Sequence, residues 1–440
     1  MKKPADGSWL KPQSRNIEIF WETDVSTIIK GVGARKIFNI RGEETIEVEV
    51  STAKGCGRAS APAGASTGKG EATPYPPGGV DEALRKTRTV IAPKLVGADS
   101  QKQEQIDATL HKIDGTDDFR NIGGNTSYAI SLATAEAAAI SNAAPLFQHL
   151  GGNLANELPH PLGNVLGGGK HARAKAPDIQ EFLSLPIKVK SFFEAEKTNI
   201  LVHQKVGHAL EKKDPTFTGG RTDEGAWAPN LENETALEVV VKACKQVSDE
   251  TGVRCGIGMD LASSTMWSPK EQRYVYKRDN VKRDTGEQLD FVLRLIKTYK
   301  LVYVEDPFHE EDFASFAELT GKVSDCLICG DDLFVTNKKR LQKGIDMGAA
   351  NATIIKGNQV GTLTDAWEAT RLAQKADYVP VMSHRSGETT EGHLAHLAVA
   401  FRCPIIKAGV VEGGRTAILN ELIRIEETVK ESAKMAALTV

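Results

Sequence analysis

Six polar residues close six apolar runs in the second half of the chain, and their types suit metal-assisted acid–base chemistry. The residues are Asp260, Glu305, Asp331, Lys356, His384 and Lys407. Asp260, Glu305 and Asp331 offer three hard oxygen donors, the set that suits the octahedral shell of Mg²⁺. Each carboxylate taken singly reads as structural; three in register read as a ligand set. Lys356 and Lys407 end two further runs. Among other cations a lysine loses proton affinity and becomes a general base near neutral pH, whereas beside the carboxylates it forms salt bridges. Both readings stand at this point. Arg385 and Ser386, directly after His384, supply a guanidinium fork and a hydroxyl that fit a phosphate.

The elements that must position these groups follow from the spacing. Successive polar ends lie 45 and then 26, 25, 28 and 23 residues apart. The shorter intervals match one strand, one helix and two loops, so the pattern reads as stacked βα units with buried parallel strands. In a β/α barrel the C-terminal ends of the strands surround one mouth, which would collect all six residues. The long first interval contains a polar insert before a helix expected near Leu289. Ile418, Leu422, Ile425 and Val429 fall at helical spacing and predict a final packed helix. Upstream, the alternation over Thr45–Val50, the Gly-rich loops and a helical run from Ser127 to Ala144 predict an α+β unit. The organisation expected is a polar extension over 1–27, an α+β domain over 28–155 and a barrel over 156–440.

Bulk properties exclude several classes. A formal net charge of −3 argues against a general nucleic-acid binder, and no basic amphipathic run suggests a membrane-surface role. The run Ser127–Ala144 is broken by Thr134, Glu136, Ser141 and Asn142, so it reads as packed helix and not as a membrane span. The six cysteines are scattered, and the Cys326/Cys329 pair sits inside an apolar run, which predicts a buried strand. The basic start lacks the apolar core of a secretory signal, which leaves the cytoplasm as the expected compartment. Gly64–Gly68 reads as a small-residue turn, and the His393/His396 pair as ordinary helix residues.

From about Val32 to Glu427 the sequence resembles the enolase (phosphopyruvate hydratase) family. The resemblance rests on GASTG at 64–68, His171 followed by QEF at 180–182, and DEG at 223–225. It continues with Asp260 before ASS, EDPF at 305–308, GDDL at 330–333, Lys356 before Asn358 and Gln359, SHRSGET at 383–389, Lys407, and LIRIEE at 422–427. The resemblance implies an N-terminal α+β capping domain followed by an enolase-type β/α barrel. It implies two Mg²⁺ per active site and reversible dehydration of 2-phosphoglycerate to phosphoenolpyruvate through an enolate. Lys- or His-base chemistry with Mg²⁺ is the general pattern of enolase-superfamily sites.

The same resemblance implies the roles. Asp260, Glu305 and Asp331 would hold the first magnesium, and Ser66 would close over the site and ligate a second. Lys356 would remove the proton beside the substrate carboxylate while Lys407 offsets the growing charge. Glu224, assisted by Glu181, would protonate the departing hydroxyl. His171, His384, Arg385 and Ser386 would position hydroxyl and phosphate. A homodimer or higher homo-oligomer is implied as well, with Arg41 paired across the interface to Glu427.

The departures from the family pattern lie around these groups. They are Asn39–Glu44 in place of DSRGNP, Ala226 and Trp227 after DEG, Thr265 and Met266 after ASS, Gly357 after Lys356, and Ala408–Arg415 in place of TGAPARSER. The loop from His171 to Glu181 is also one residue longer than the family pattern; Trp227 is expected to narrow or rebuild the leaving-group side of the pocket, and the longer loop to enlarge it. These departures keep open an enolase-like paralog acting on a related phosphorylated or phosphonate hydroxy acid. A non-catalytic scaffold is disfavoured, because two buried lysines facing three carboxylates are costly to keep without a metal.

Overall fold

The computed structural model describes residues 27–64, 68–172 and 175–440. The expected polar extension (apart from Thr27) and Ser66 lie outside the described residues.

The first unit is a three-stranded antiparallel sheet, Gly31–Phe38, Glu44–Ser51 and Cys56–Ser60, backed by helices. The alternation seen in the sequence buries Ile46, Val48 and Val50 on one face. Against that face lies Gly124–Ser141, a helix rich in Ala, Ser and Thr and buried on nearly every side. Small residues let sheet and helix approach closely. A Cβ on Gly57 would overlap Ala133 O and Ala137 N, so no larger residue fits there. The helix starts and ends three residues earlier than the apolar run implied, because Ala143 adopts φ 52° and Pro145 precedes the next helix.

The second unit is a closed eight-stranded barrel. In ring order its strands are Tyr303–Glu305, Leu327–Gly330, Ala352–Ile355, Val379–Ser383, Ile405–Gly409, His160–Gly167, Glu181–Ile187 and Arg254–Asp260. The expectation of parallel strands throughout needs one correction. Glu181–Ile187 runs antiparallel to both neighbours, and the helices Phe192–Lys213 and Asn233–Thr251 then follow in succession. Reversal puts the first residue of this strand, Glu181, at the mouth where the other strands end, opposite Asp260 in register.

The interior is a packed core of Leu162, Leu183, Leu185, Ile354, Val381, Ile405 and their neighbours. The long interval after Asp260 holds a small three-stranded sheet. The helix after it starts at Thr285, earlier than Leu289, because Asp284 and Glu287 form a capping box. Ile418, Leu422 and Ile425 are buried on the last helix, Gly413–Val429. Cys326 and Cys329 are free, buried thiols at the strand Leu327–Gly330. The first unit shares one apolar core with barrel helices, through residues such as Leu363, Ala395 and Ile418.

Candidate active site

All six polar residues gather at the barrel mouth, although Lys407 lies in the middle of its strand, Ile405–Gly409, and not at its end. Asp260, Asp331, Lys356, His384 and Lys407 line a single pocket, together with Glu181, Glu224, His171, Arg385 and Ser386. Glu305 sits beneath it, fully buried beside Asp260. Asp260 and Glu305 are the last residues of neighbouring strands paired in register. Asp331, Lys356 and His384 each follow a strand by one residue.

Lys407 Nζ donates to Asp260 Oδ2 (2.9 Å) and to both oxygens of Glu305 (2.8 Å), with Glu181 Oε1 at 3.2 Å. Lys356 Nζ pairs with Asp331 Oδ2. Of the two readings left open for the lysines, the salt bridge is the arrangement present. The depressed proton affinity expected for them is therefore corrected. Burial, Arg385 and Lys407 all pull Lys356 down, but beside the carboxylates, Asp331 first and Glu305 with it, the net shift is upward. Burial likewise lowers Lys407, and Asp260, Glu181 and Glu305 raise it well above the ordinary lysine value.

The carboxylates outnumber these ammonium groups. Burial, then Asp260, lifts Glu305 to about 8. Burial, then Asp331, lifts Asp332 to about 7. Asp306 is also raised, and it accepts the backbone N–H groups of Asp331 (3.1 Å) and Asp332 (2.8 Å). Donor oxygens of Asp306, Asp331 and Asp332 lie within 4.8 Å of one another. An all-oxygen donor set with surplus negative charge fits a hard divalent cation. His171, Glu181 and Glu224 also converge within 4.8 Å. There, although burial lowers it, Glu224 and Asp223 raise His171 to about 9.

On that side the two glutamates are pushed apart. Burial, only partly offset by Lys407, raises Glu181 well above the usual carboxylate range. Burial also pushes Glu224 up, but protonated His171, with Arg415 and the hydrogen bond from Asn164, holds it far below that range. His171 donates from Nδ1 to Asp223 (2.8 Å) and presents Nε2 to Glu224 (3.6 Å) and Glu181 (3.8 Å). His384 Nε2 stands 3.4 Å from Glu224. Burial keeps His384 neutral. Two carboxyls with opposite protonation preferences form a ready acid–base pair.

On the phosphate side, Arg385 donates to Asn358 Oδ1 (2.9 Å) and Glu71 Oε2 (3.2 Å). Ser386 Oγ accepts from Arg41 (2.8 Å).

Sequence reasoning missed Glu71, Asn164, Asp306 and Arg41 as members of this site. Glu71 also accepts from Gly68 N and Gln359, tying the end of the 64–68 loop to the mouth. Asn164 donates to Glu224 Oε2 (3.0 Å). None of these stands at the polar end of an apolar run, and only Asp306, next to Glu305, carried a local signal. Arg41 was expected at a subunit interface. Within its own chain it reaches the site, held by Glu43 (2.6 Å) and Ser386, with Asp223 at 3.8 Å. Trp227 does not narrow the pocket. Its indole stacks on His203 (4.7 Å), donates to His203 O (2.8 Å) and lies under Arg221, outside the mouth. Gly207 leaves room for it.

Two family models match this chain: "Enolase, N-terminal domain" over residues 29–150 and "Enolase, C-terminal TIM barrel domain" over residues 155–440. The chain belongs to the enolase family. Proteins named enolase from Methanothermobacter thermautotrophicus and Methanosphaera stadtmanae are 52% and 53% identical to it over 93% and 92% of its length, covering 98% of each relative. The enolase of Pyrobaculum aerophilum is 47% identical over 92% of this chain and 98% of its own. The fold expected from the resemblance, an N-terminal domain followed by an α/β barrel, is the one present. The enolase family comprises hydro-lyases that use Mg²⁺, and the acidic groups of the mouth could bind a metal ion. Among the described residues no helix is long and apolar enough to cross a membrane.

Proposed function

We propose that this mouth catalyses the magnesium-dependent, reversible dehydration of 2-phosphoglycerate to phosphoenolpyruvate. One observation carries the reading. The strand before Lys356 and the strand opening with Glu181 are four places apart in an eight-strand ring, so they face each other across the mouth. A base on one wall and a paired acid on the other suit removal of a proton and a hydroxyl from adjacent carbons of one small acid.

In this reading Asp260, Glu305 and Asp331 hold a first magnesium, and Ser66 contributes to a second. Magnesium held there neutralises the substrate carboxylate and the charge of the enolate. Lys356 takes the proton beside the carboxylate. It can do so when Asp331 is engaged elsewhere, because burial, Arg385 and Lys407 all disfavour its charge. Lys407 offsets charge at the carboxylate. Glu181 and Glu224 share the proton passed to the leaving hydroxyl, with His171 and His384 orienting it. Arg385 and Ser386 hold the phosphate. Trp227 packs outside the mouth and so gives an altered substrate no support.

Residues 28–155 serve as the cap and 156–440 as the catalytic barrel. The protein works in the cytoplasm as a homodimer or higher homo-oligomer. Arg41 pairs with Glu43 within its own chain, and its pairing with Glu427 of a second copy belongs to this proposal. A monomeric mass by light scattering at micromolar concentration would refute the oligomer. The binding half of the proposal is tested by thermal stabilisation. 2-Phosphoglycerate should raise the melting temperature only with magnesium present, and a retired scaffold would show no shift.

A further inference from the structure

Arg415, in the first turn of the helix Gly413–Val429, is among the largest side chains wholly excluded from solvent. Its Nη2 donates to Ser386 O (2.9 Å) and Asp223 O (3.4 Å). Its Nε and Nη1 have no hydrogen-bond partner among the described residues. A guanidinium stays charged in a protein, and an arginine buried without a bonded carboxylate is expensive. Structural needs alone would be met more cheaply by an apolar side chain of similar volume.

The segments that meet at Arg415 carry the acid–base and phosphate groups. Residues 222–225 hold Glu224, and residues 383–389 hold His384, Arg385 and Ser386. Their backbones leave no slack against residues 409–415. A Cβ on Gly409 would overlap Glu224 O, one on Gly414 would overlap Thr389 O, and one on Gly225 would stand 2.5 Å from Val411 O. Arg415 is the side chain that bonds the first two segments from the third.

We propose that Arg415 is a positioning residue for the dehydration. It clasps the Glu224 segment to the Ser386 segment and fixes a positive charge behind Glu224 and His384. This rests on the reading given under Proposed function. The charged and titratable groups facing Glu224 are His171, His384 and Arg415, with Glu181 across His171. Arg415 faces Glu388 as well. Protonated His171 and Arg415 help to keep Glu224 ionised, so the Glu181/Glu224 pair enters the reaction with its proton on Glu181.

The test compares Arg415→Met and Arg415→Lys with the wild type. Arg415→Met should lower kcat for phosphoenolpyruvate formation about 100-fold, the scale of misplaced general acid–base catalysis. At saturating substrate it should leave the α-proton exchange performed on the Lys356 wall within about threefold, because Lys356 and Asp331 are held elsewhere. The acid limb of its kcat profile should move up by about one pH unit, since a positive charge beside Glu224 is lost. Arg415→Lys keeps the charge without the fork, so its acid limb should stay at the wild-type pH while kcat is intermediate. A merely structural role predicts that exchange and dehydration fall together with the limb unmoved, and that result overturns the proposal. Should Arg415→Met fail to fold by circular dichroism, Arg415→Lys decides: reduced kcat at an unmoved limb supports the clasp, and unchanged kcat overturns it. Carboxyl ¹³C NMR of Glu224 against pH reads the electrostatic effect without turnover. Absence of product from the wild type therefore sinks the dehydration reading, while absence of a Glu224 shift in the methionine variant, or its lysine counterpart if that is the one that folds showing altered titration, sinks this one.

Discussion

Replacing Lys407 with Met tests whether a buried ammonium holds together carboxylates that are built for a metal. The side chain is nearly solvent-free and reaches Asp260 (2.9 Å), Glu305 (2.8 Å) and Glu181 (3.2 Å). Removing one partner from a buried ionic cluster costs about 3–5 kcal/mol, because the remaining charges lose compensation. Here the loss should fall toward the lower end, about 3 kcal/mol, since burial and Asp260 already hold Glu305 at about 8 and it takes up a proton readily. The sign with pH follows from that value. Glu305 is raised in the folded protein, so its contribution is complete below 4.5 and is lost as pH rises through about 8. Without Lys407 the carboxyl is raised further, and the deficit against the wild type should widen between pH 6 and pH 9.

Magnesium should reverse much of the loss. A ligand at a hundred times its Kd adds about 2.7 kcal/mol. The variant should gain more than the wild type at equal magnesium, because no ammonium competes for the same oxygens. The assay is urea unfolding at pH 6 and pH 9, with and without magnesium. Destabilisation that is equal in all four conditions, or equal magnesium gains in both proteins, would refute the reasoning.

Asp331→Asn should weaken magnesium binding at least about tenfold and leave activity that extra magnesium partly restores, since one anionic donor is lost. Unchanged magnesium dependence in calorimetry and kinetics would remove Asp331 from the ligand set. Lys356→Ala should abolish exchange of the substrate α-proton with solvent while magnesium affinity stays within a few-fold; retained exchange would move the base to Lys407. Gly57→Ala, far from the mouth, should destabilise the first unit by about 1–3 kcal/mol through overpacking against Ala133 and Ala137. An unchanged melting temperature would mean that sheet and helix can separate freely.

Much of the barrel was legible because buried parallel strands are apolar nearly throughout and end in polar residues at one mouth. That rule picked out Asp260, Glu305, Asp331, Lys356, His384 and Lys407, and all six reach the mouth. It failed where strand direction changes. Glu181–Ile187 carries its polar residue first, so nothing in an "apolar run, then polar end" pattern marks it, and His160–Gly167 ends in glycine. The sequence left two readings of the lysines open because the contact of Asp331 with Lys356, which decides between them, is created only by the fold. Trp227 drew attention as a bulky departure beside Glu224. A side chain three residues along a turn can point the other way, and here it packs on the middle of a helix and donates to His203 O. Arg41 and Arg415 gave no sign of their places, because each is brought to the mouth by contacts 345 and 29 residues distant in sequence.

The most direct test of the central claim is product formation from 2-phosphoglycerate by the purified chain under saturating magnesium, with Arg385→Gln as the control. The account predicts phosphoenolpyruvate from the wild type, none after chelation of magnesium, and a strong loss in the control as the phosphate fork is removed. Wild-type protein that exchanges no α-proton and forms no phosphoenolpyruvate, with magnesium bound and the fold intact, would contradict it.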